Sequence, residues 1–220
     1  MPTRSKTAPK TTKKRPVRAF YTIGITGIFG SGKSSVGALL RVKGFPVIDT
    51  DLLAKEIILK NAHVHRALKK HFGNDIYDEH GALRRRELAQ IVFADQEELK
   101  FLNSLIHPEV FKSLNVTVPK LVDQGHELIF IESALIYERG IDDMFDFIIV
   151  VSANKKQIFE RISKSTSMSL SEIELRFANQ FSNEEKTSRG DFVIKNDGTP
   201  AELENSTNFV VRLLQQMIAS

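Results

Sequence analysis

The chain has 220 residues, of which 41% are hydrophobic and 26% are charged, a balance typical of a folded domain and not of a disordered chain. It contains no cysteine, which excludes a disulfide scaffold, a cysteine nucleophile and a cysteine-ligated metal centre, and fits a reducing compartment. No apolar run approaches the ~20 residues that a membrane-spanning helix needs. We therefore expect a cytoplasmic protein with no membrane partner.

The positive charge of the chain is concentrated at its N-terminus. The formal net charge is +4, yet residues 1–18 carry seven Lys and Arg side chains and no acid, which leaves 24 basic against 27 acidic residues elsewhere. We predict that this segment is a disordered basic tail. A secretory signal is not favoured because no apolar segment follows the charges. A targeting role and nucleic-acid binding through the tail stay as alternatives, of which nucleic acid is not the favoured partner.

The first ordered part of the chain has the pattern of a strand, a helix and a second strand. Residues 21–26 are β-prone, residues 34–42 have a helical pattern that stops before Gly44, and residues 45–48 form a second short apolar run. A glycine just after a helix is a common C-terminal stop. This βαβ order predicts parallel strands joined by a right-handed crossover.

The rest of the chain alternates between helical and strand-like segments. From Leu52 to about Asp123 the pattern is helical, and Pro108 is expected in the first turn of one of these helices, where proline fits. Two unbroken apolar runs, residues 128–131 and 147–151, favour strands buried on both faces of a parallel sheet, although a buried helix gives the same pattern. The remaining predicted elements are helices at 154–164, at 169–181 with a capping box from Ser169 to Glu172, and at 200–218, and a fifth strand at 191–194.

A phosphate-binding loop lies between the first strand and the first helix. The residues from Gly27 to Ser34 match the pattern G-x-x-x-x-G-K-[S/T] in full, with the preceding strand and following helix that this motif requires. Its glycines let successive backbone N–H groups turn onto a phosphate, Lys33 reaches the β and γ phosphates, and the Ser34 hydroxyl suits Mg²⁺. The motif predicts a site for a nucleoside triphosphate with Mg²⁺. The predicted nucleotide contacts are Gly27, Gly30, Ser31, Gly32, Lys33, Ser34 and Ser35 and, after the fifth strand, Asn196 and Gly198.

Acidic residues follow the second and third strands, at the carboxyl edge of a parallel sheet, where ligands bind in open α/β folds. Asp51 is suited to accept a proton from an attacking hydroxyl group or to orient Mg²⁺. Its alternative role is the N-cap of the following helix. Glu132 follows four apolar residues and is a candidate for holding the magnesium water shell, with a plain turn at the strand end as the alternative.

Several basic residues are candidates for binding phosphate charge. Arg161, Lys164 and Arg176 lie between the fourth and fifth strands, in a segment that can close over a nucleotide and neutralise the transferring charge. The alternative for each of them is a solvated helix surface. The three consecutive arginines at residues 84–86 are expected to contact either an acidic substrate or neighbouring carboxylates.

With these features placed, the chain resembles the dephospho-CoA kinase family of P-loop kinases, which are related in fold to the nucleoside monophosphate kinases. The similarity extends over about residues 21–215, and its most specific parts are residues 47–51 and 102–108. The other matching parts are residues 24–35, 81–85 with 92–93, 135–138, 176 with 180, and 191–198.

The resemblance implies both a fold and a reaction. The expected fold is α/β, a three-layer P-loop NTPase architecture with a five-stranded parallel sheet and helices on both faces. Residues 19–54, 124–154 and 190–220 are expected to form its core, residues 55–123 a helical insertion on the CoA side, and residues 155–189 a helical lid. The expected reaction is transfer of the ATP γ-phosphate to the ribose 3′-hydroxyl of dephospho-CoA, which gives coenzyme A, by a monomer or a weak oligomer.

The resemblance also implies roles for individual residues. Asp51 is the expected general base, and Lys33, Arg161 and Arg176 are the other expected catalytic side chains. His107 is a candidate for binding the substrate, and the alternative is that it caps its helix. The residues expected to contact dephospho-CoA are Thr26, Asp51, Arg85, His107 and Leu135.

The chain departs from the family pattern at two positions. Ala134 stands where the family usually has a proline that stiffens the loop after the third strand, and Ser165 stands where its lid usually carries an arginine. A missing phosphate clamp predicts a slower enzyme unless Lys164 or Arg176 compensates. The alternative function is a nucleotide-binding regulator with weakened or lost kinase activity, and the third is a nucleic-acid-binding protein that acts through its tail.

Overall fold

The computed structural model describes residues 18–165, 173–174 and 177–219. In this part of the chain, the strands are β1 (Tyr21–Thr26), β2 (Val47–Asp49), β3 (Leu128–Glu132), β4 (Phe147–Ser152) and β5 (Phe192–Lys195). The α-helices described in full are α1 (Lys33–Val42), α2 (Thr50–Lys60), α3 (Ala62–Phe72), α4 (Arg85–Ala94), α5 (Gln96–Asp123), α6 (Lys155–Ser165), α7 (Asn183–Arg189) and α8 (Pro200–Ile218).

The described strands form one parallel sheet with the order β2-β3-β1-β4-β5. The predicted five-stranded parallel α/β sheet is therefore confirmed, and the two unbroken apolar runs are strands and not buried helices. β1 lies in the middle, with strands that follow it in sequence on both sides. This reversal of strand order creates the crevice at the carboxyl end of β1 in which doubly wound folds bind ligands.

Both faces of the sheet are buried, as the unbroken apolar runs predict. In β4, Phe147, Ile149 and Val151 pack on one face together with residues of α1 and α8. Ile148 and Val150 of the same strand pack on the other face against the segment that follows β3. A further apolar cluster joins helices α2 to α5 to the end of β3. The sheet thus lies between two helical layers, and helices α2 to α5 share an apolar core with the end of β3.

The helical stretch after β2 is observed as α2 to α5, but the predicted helix start at Pro108 is wrong. α5 is continuous through Pro108, although a proline inside a helix removes one backbone hydrogen bond and strains the preceding turn. Ile106, Val110 and Leu114 recur at helical spacing on both sides of it and are buried in the apolar cluster of the insertion. Their burial offsets the cost of the proline.

Parts of the predicted tail and lid lie outside the described residues. These parts are residues 1–17, the predicted capping box from Ser169 to Glu172, and Arg176. Arg18, which its charge assigned to the tail, forms an ion pair of 2.9 Å with Asp146. Searching the described residues reveals no helix that is both long enough and apolar enough to cross a membrane.

Candidate active site

The phosphate-binding loop connects the end of β1 to α1. The residue before α1, Gly32, has φ of +98°, in the left-handed region that glycine adopts without strain. A Cβ atom at this position would also collide with the side-chain amide of Asn196. Glycine is therefore required here for two reasons. The N-terminal end of α1 follows directly and adds its partial positive charge where a phosphate binds.

Lys33 is folded back onto the phosphate-binding loop. Its Nζ donates hydrogen bonds to the backbone carbonyls of Gly27 at 3.1 Å and Ile28 at 3.2 Å, and the residue is only 9% exposed. Burial lowers the pKa of its ammonium group, while the nearby carboxylates of Asp51 and Glu132 oppose that shift. The loop therefore holds this cation close to two acids at the sheet edge.

Side chains from distant parts of the chain hold the loop in place. Asn196, which follows β5, donates from Nδ2 to the Ser31 carbonyl at 2.9 Å. Arg161 of α6 donates to the backbone and side-chain oxygens of Asn196 at 2.7 and 3.2 Å, and Gln180 accepts the Phe29 N–H at 2.8 Å. Two residues that the sequence assigned to nucleotide binding or catalysis, Asn196 and Arg161, thus fix the conformation of the loop itself.

The two aspartates at the junction of β2 and α2 have different environments. Asp49 is the N-cap of α2, and its Oδ1 accepts the N–H groups of Asp51 and Leu52, each at 2.9 Å. The alternative interpretation of Asp51 as the helix cap is therefore wrong. Asp51 is exposed in the first turn of α2, and its charge acts on both Lys33 and Arg139. Its carboxylate is thus available to a ligand at the sheet edge.

Glu132 ends β3 and is buried beside these aspartates. It is 7% exposed, pairs in register with Asp49, and its Oε2 has no hydrogen-bond partner. Burial raises the pKa of this carboxyl to about 7, Asp49 adds to the shift, and Lys33 opposes it. Gly37 of α1 permits the close approach, because a Cβ there would lie 2.9 Å from Glu132 Oε2. An acid buried beside the loop lysine differs from an ordinary solvated turn residue.

A largely apolar cavity of about 300 Å³ lies between α5 and the sheet. Apolar walls with a few converging polar groups are typical of binding sites for organic ligands. The apolar lining includes Val110, Phe111, Leu114, Val118, Ile131 and Phe145. The polar lining includes Thr50, His107, Asn115, Ser133 and Arg139.

His107 and Arg139 are the ionisable groups among these polar lining residues. His107 Nε2 is buried without a hydrogen-bond partner, and burial, followed by the positive charge of Arg139, lowers the pKa of the imidazole to about 4. The ring is therefore neutral at pH 7. Helix capping by His107 is excluded because the residue lies inside α5. Arg139 is exposed overall, yet partial desolvation lowers the pKa of its guanidinium and the carboxylate of Asp51 opposes that shift, so the charges of these two residues interact.

The segment after β3 is held by a buried ion pair. Lys186 of α7 is 0% exposed, and its Nζ lies 2.6 Å from Glu138 Oε1 and donates to the Ala134 carbonyl at 2.7 Å. Glu138 Oε1 also accepts the Phe181 N–H at 2.7 Å. The carbonyl of Ala134, where the chain lacks the proline of the family pattern, is thus fixed by a side chain.

Other predicted site residues lie at the margins of this arrangement. Thr26 is fully buried at the end of β1 and donates to the Ala134 carbonyl at 3.5 Å. Leu135 lies in the segment after β3, Arg85 is the exposed first residue of α4, and Gly198 is exposed after β5. The described residues that line the cavity do not include Thr26, Leu135 or Arg85.

The predicted magnesium and lid residues are placed only in part. Ser34 and Ser35 are exposed in the first turn of α1. Arg176 lies outside the described residues, as do the side chains of Lys164 and Ser165. Whether another lid cation replaces the missing arginine therefore stays a prediction.

The sequence analysis missed two residues of this site, Arg139 and Lys186. Arg139 directly follows Glu138, the last residue of a stretch that the resemblance had singled out. A basic residue so soon after a buried strand was a usable signal. Lys186 lies in a helix of mostly charged and polar residues, and nothing in the sequence distinguishes the one lysine there that is buried.

A parallel sheet with a phosphate-binding loop at the carboxyl end of its central strand defines a P-loop NTPase fold. The family model of dephospho-CoA kinase matches residues 21–202. The chain belongs to the dephospho-CoA kinase family, so the resemblance seen in the sequence is confirmed.

Individual relatives agree with this assignment. The dephospho-CoA kinase of Geobacter sulfurreducens is 37% identical over 182 residues, which cover 83% of this chain and 92% of that protein. That of Anaeromyxobacter dehalogenans is 35% identical over 181 residues, with coverages of 82% and 86%. A solved structure from Thermus thermophilus is 35% identical and has a TM-score of 0.75, covering 89% of this chain and 98% of that one.

Proposed function

We propose that the protein transfers the γ-phosphate of ATP to the ribose 3′-hydroxyl of dephospho-CoA, which yields coenzyme A and ADP. The observation that carries this proposal is the position of Asp51, an exposed carboxylate close to both the loop cation Lys33 and the cavity cation Arg139. The choice of acceptor is supported by family membership.

On the nucleotide side, the phosphates of ATP replace the loop carbonyls as partners of Lys33. The ammonium group is already inside the loop, hydrogen-bonded to two carbonyl oxygens, and bound phosphate adds negative charge that favours its protonated form. The N-terminal end of α1 and the loop N–H groups other than those of Phe29 and Ser31, which already donate within the protein, bind the phosphate oxygens. Arg161 is a cation of the proposed lid that reaches this loop, since its guanidinium donates to the Ser31 carbonyl at 3.5 Å.

The residues at the sheet edge fit Mg²⁺ as a partial ligand set. Ser34 offers a hydroxyl at the start of α1, and Glu132 offers a buried carboxylate oxygen without a partner. No group of three or more acidic or histidine side chains close enough to hold a metal was found in the described residues. An ion that takes most of its ligands from phosphate and water needs no such group. When bound, Mg²⁺ supplies neutralisation of the phosphate charge.

Asp51 is the proposed general base. It accepts the proton of the 3′-hydroxyl group while the hydroxyl oxygen forms its bond to the γ-phosphorus, and the bond from that phosphorus to the bridging oxygen breaks, leaving its electron pair on ADP. Asp51 is suited to this role because Asp49 already caps α2 and Glu132 is buried. Lys33, Arg139 and Arg161 are the cations proposed to stabilise the transferring charge.

On the acceptor side, the cavity beside α5 is the proposed receptor for part of dephospho-CoA. Its apolar walls exclude water, and Arg139 and neutral His107 supply the polar contacts. We propose residues 55–123 as the CoA-side unit and residues 155–189 as the lid of a core formed by the rest of the kinase. Thr26, Arg85 and Leu135 stay candidates for contacts in a closed state, and Arg176 for a catalytic contact there.

Acceptor-dependent release of ADP tests this function. The purified protein is given MgATP with and without dephospho-CoA, and adenosine and AMP serve as control acceptors. Turnover that requires dephospho-CoA is the expected result. Binding of ATP without turnover on any acceptor contradicts the proposal and favours the nucleotide-binding regulator instead.

A further inference from the structure

One buried ammonium group contacts both ends of the turn that follows β3, next to the proposed acceptor cavity. Lys186 Nζ contacts Ala134 O at 2.7 Å and Glu138 Oε1 at 2.6 Å, at the two ends of the turn that follows β3. Ser133 and Arg139 flank this turn, and both line the cavity. The lysine therefore fixes the separation of two residues that face the acceptor.

The same group of contacts reaches the phosphate-binding loop. Glu138 Oε1 accepts the Phe181 N–H at 2.7 Å, and the preceding residue, Gln180, accepts the N–H of Phe29 in that loop at 2.8 Å. The carbonyl that the lysine holds also accepts a hydrogen bond from Thr26 Oγ1, directly before the loop, at 3.5 Å. The nucleotide and acceptor sides are thus joined through one buried ion pair.

Stability alone does not account for this pair. The side chains of Lys186 and Glu138 are 0% and 11% exposed, and Glu138 Oε2 is buried without a hydrogen-bond partner. Removing two ions from water costs about as much as their attraction returns, and apolar residues of similar volume are often as stabilising. Hydrogen bonds of fixed length and direction, however, impose a geometry that apolar contacts do not.

We infer that Glu138 and Lys186 are positioning residues for phosphoryl transfer, which hold Arg139 and Ser133 in place relative to the phosphate-binding loop. This inference rests on the proposed function. A displacement of ~1 Å at a reacting centre costs on the order of a hundredfold in rate. The pair therefore controls turnover of the acceptor without touching either substrate.

The test uses the full chain and separates position from stability. Lys186→Met alone leaves a buried carboxylate without its partner, and its unfolding midpoint is expected to fall. The double variant Glu138→Leu/Lys186→Met removes both charges and is expected to regain most of that midpoint. Its kcat/KM for dephospho-CoA is nevertheless expected to be about tenfold or more below wild type, with the Kd for ATP within about threefold. The matched control is Lys43→Met, which breaks an ion pair between two exposed residues, Lys43 and Glu204, and is expected to leave turnover unchanged.

A double variant whose kcat/KM for dephospho-CoA equals that of wild type overturns the inference. If the double variant does not regain its stability, Glu138→Gln is compared with Glu138→Leu at a temperature at which both are folded. A higher kcat/KM for Glu138→Gln, which keeps a side-chain oxygen able to accept hydrogen bonds, supports the positioning role. Equal values for the two variants overturn it.

Failure of the proposed function is recognised separately. In that case the wild-type protein releases no additional ADP when dephospho-CoA is present. Calorimetric titration of wild type and double variant with dephospho-CoA then still tests the pair. Weaker binding by the double variant supports the inference, and equal affinities overturn it.

Discussion

The nucleotide side and the acceptor side of the sheet edge are built in different ways. The phosphate-binding loop is fixed by hydrogen bonds that Asn196 and its own Lys33 donate and by one that Gln180 accepts. The proposed acceptor cavity instead has mostly apolar walls with a few polar side chains, among them His107. A site for phosphate, a group common to all nucleotides, is preorganised by its own contacts. A site for an organic acceptor instead needs apolar walls and a few polar side chains that fix the orientation of the ligand.

The largest expected effect on turnover is that of Asp51, which lies between the proposed nucleotide and acceptor sides. Asp51→Asn removes the proposed base, so kcat is expected to fall by about 10²- to 10⁴-fold, while the Kd for ATP stays near that of wild type. Steady-state ADP release and equilibrium nucleotide binding measure the two quantities. Glu56→Gln, an exposed acid on the same helix, is the control. A loss of less than tenfold in Asp51→Asn would remove this residue from the chemistry.

The second largest expected effect is that of Arg139→Met, which tests whether use of dephospho-CoA can be impaired without a change in ATP binding. Arg139→Met is expected to lower kcat/KM for dephospho-CoA by about a hundredfold, because it removes the cation of the acceptor cavity, and to leave ATP binding unchanged. Initial rates at varied dephospho-CoA and a nucleotide titration check this. Arg66→Met, an exposed arginine of α3, controls for loss of charge. An equal loss of ATP affinity would show that the division into two sides is wrong.

On the nucleotide side, Glu132 is expected to make the stability of the ligand-free protein depend on pH. Folding raises its pKa from 4.5 to about 7, so the native state holds a proton that the unfolded chain releases between these values. The stabilisation is fully present below pH 4.5 and is lost as pH rises through 7, by about 3 kcal/mol at most.

Urea unfolding of Glu132→Gln from pH 5 to pH 8 measures this contribution. The variant keeps the size of the side chain but has no proton to lose, so its stability relative to wild type is expected to increase across this range. A constant difference between the two proteins would show that Glu132 titrates as an ordinary surface acid.

On the acceptor side, His107 is expected to give the opposite dependence. Folding lowers its pKa from 6.5 to about 4, so the unfolded chain binds a proton first as pH falls. The stabilisation is present above pH 6.5 and is lost as pH falls through 4, by on the order of 2 kcal/mol. Unfolding of His107→Gln from pH 7 to pH 4 is expected to show the variant losing less stability than wild type. Parallel curves would contradict a buried neutral imidazole.

Most of the fold could be predicted from the sequence, because parallel strands buried on both faces leave unbroken apolar runs such as residues 147–151. The prediction at Pro108 was wrong because a local preference for the first helical turn was overridden by the tertiary burial of Ile106 and Val110. The sequence also left the role of Asp51 open between cap and base. Which of two aspartates caps a helix depends on the backbone turn at that point, and here it is Asp49.

The sequence by itself determined the phosphate-binding loop, the strand before it and the helix after it, because glycine spacing and backbone conformation are local properties. The tertiary structure alone decided which charges are buried and which are exposed. Lys186 looks like any other helix lysine until α7 packs beside the turn that carries Glu138, and Glu132 becomes a buried acid only when β2 and α1 cover it. Burial depends on contacts between distant residues, and pKa values and site geometry therefore depend on them too.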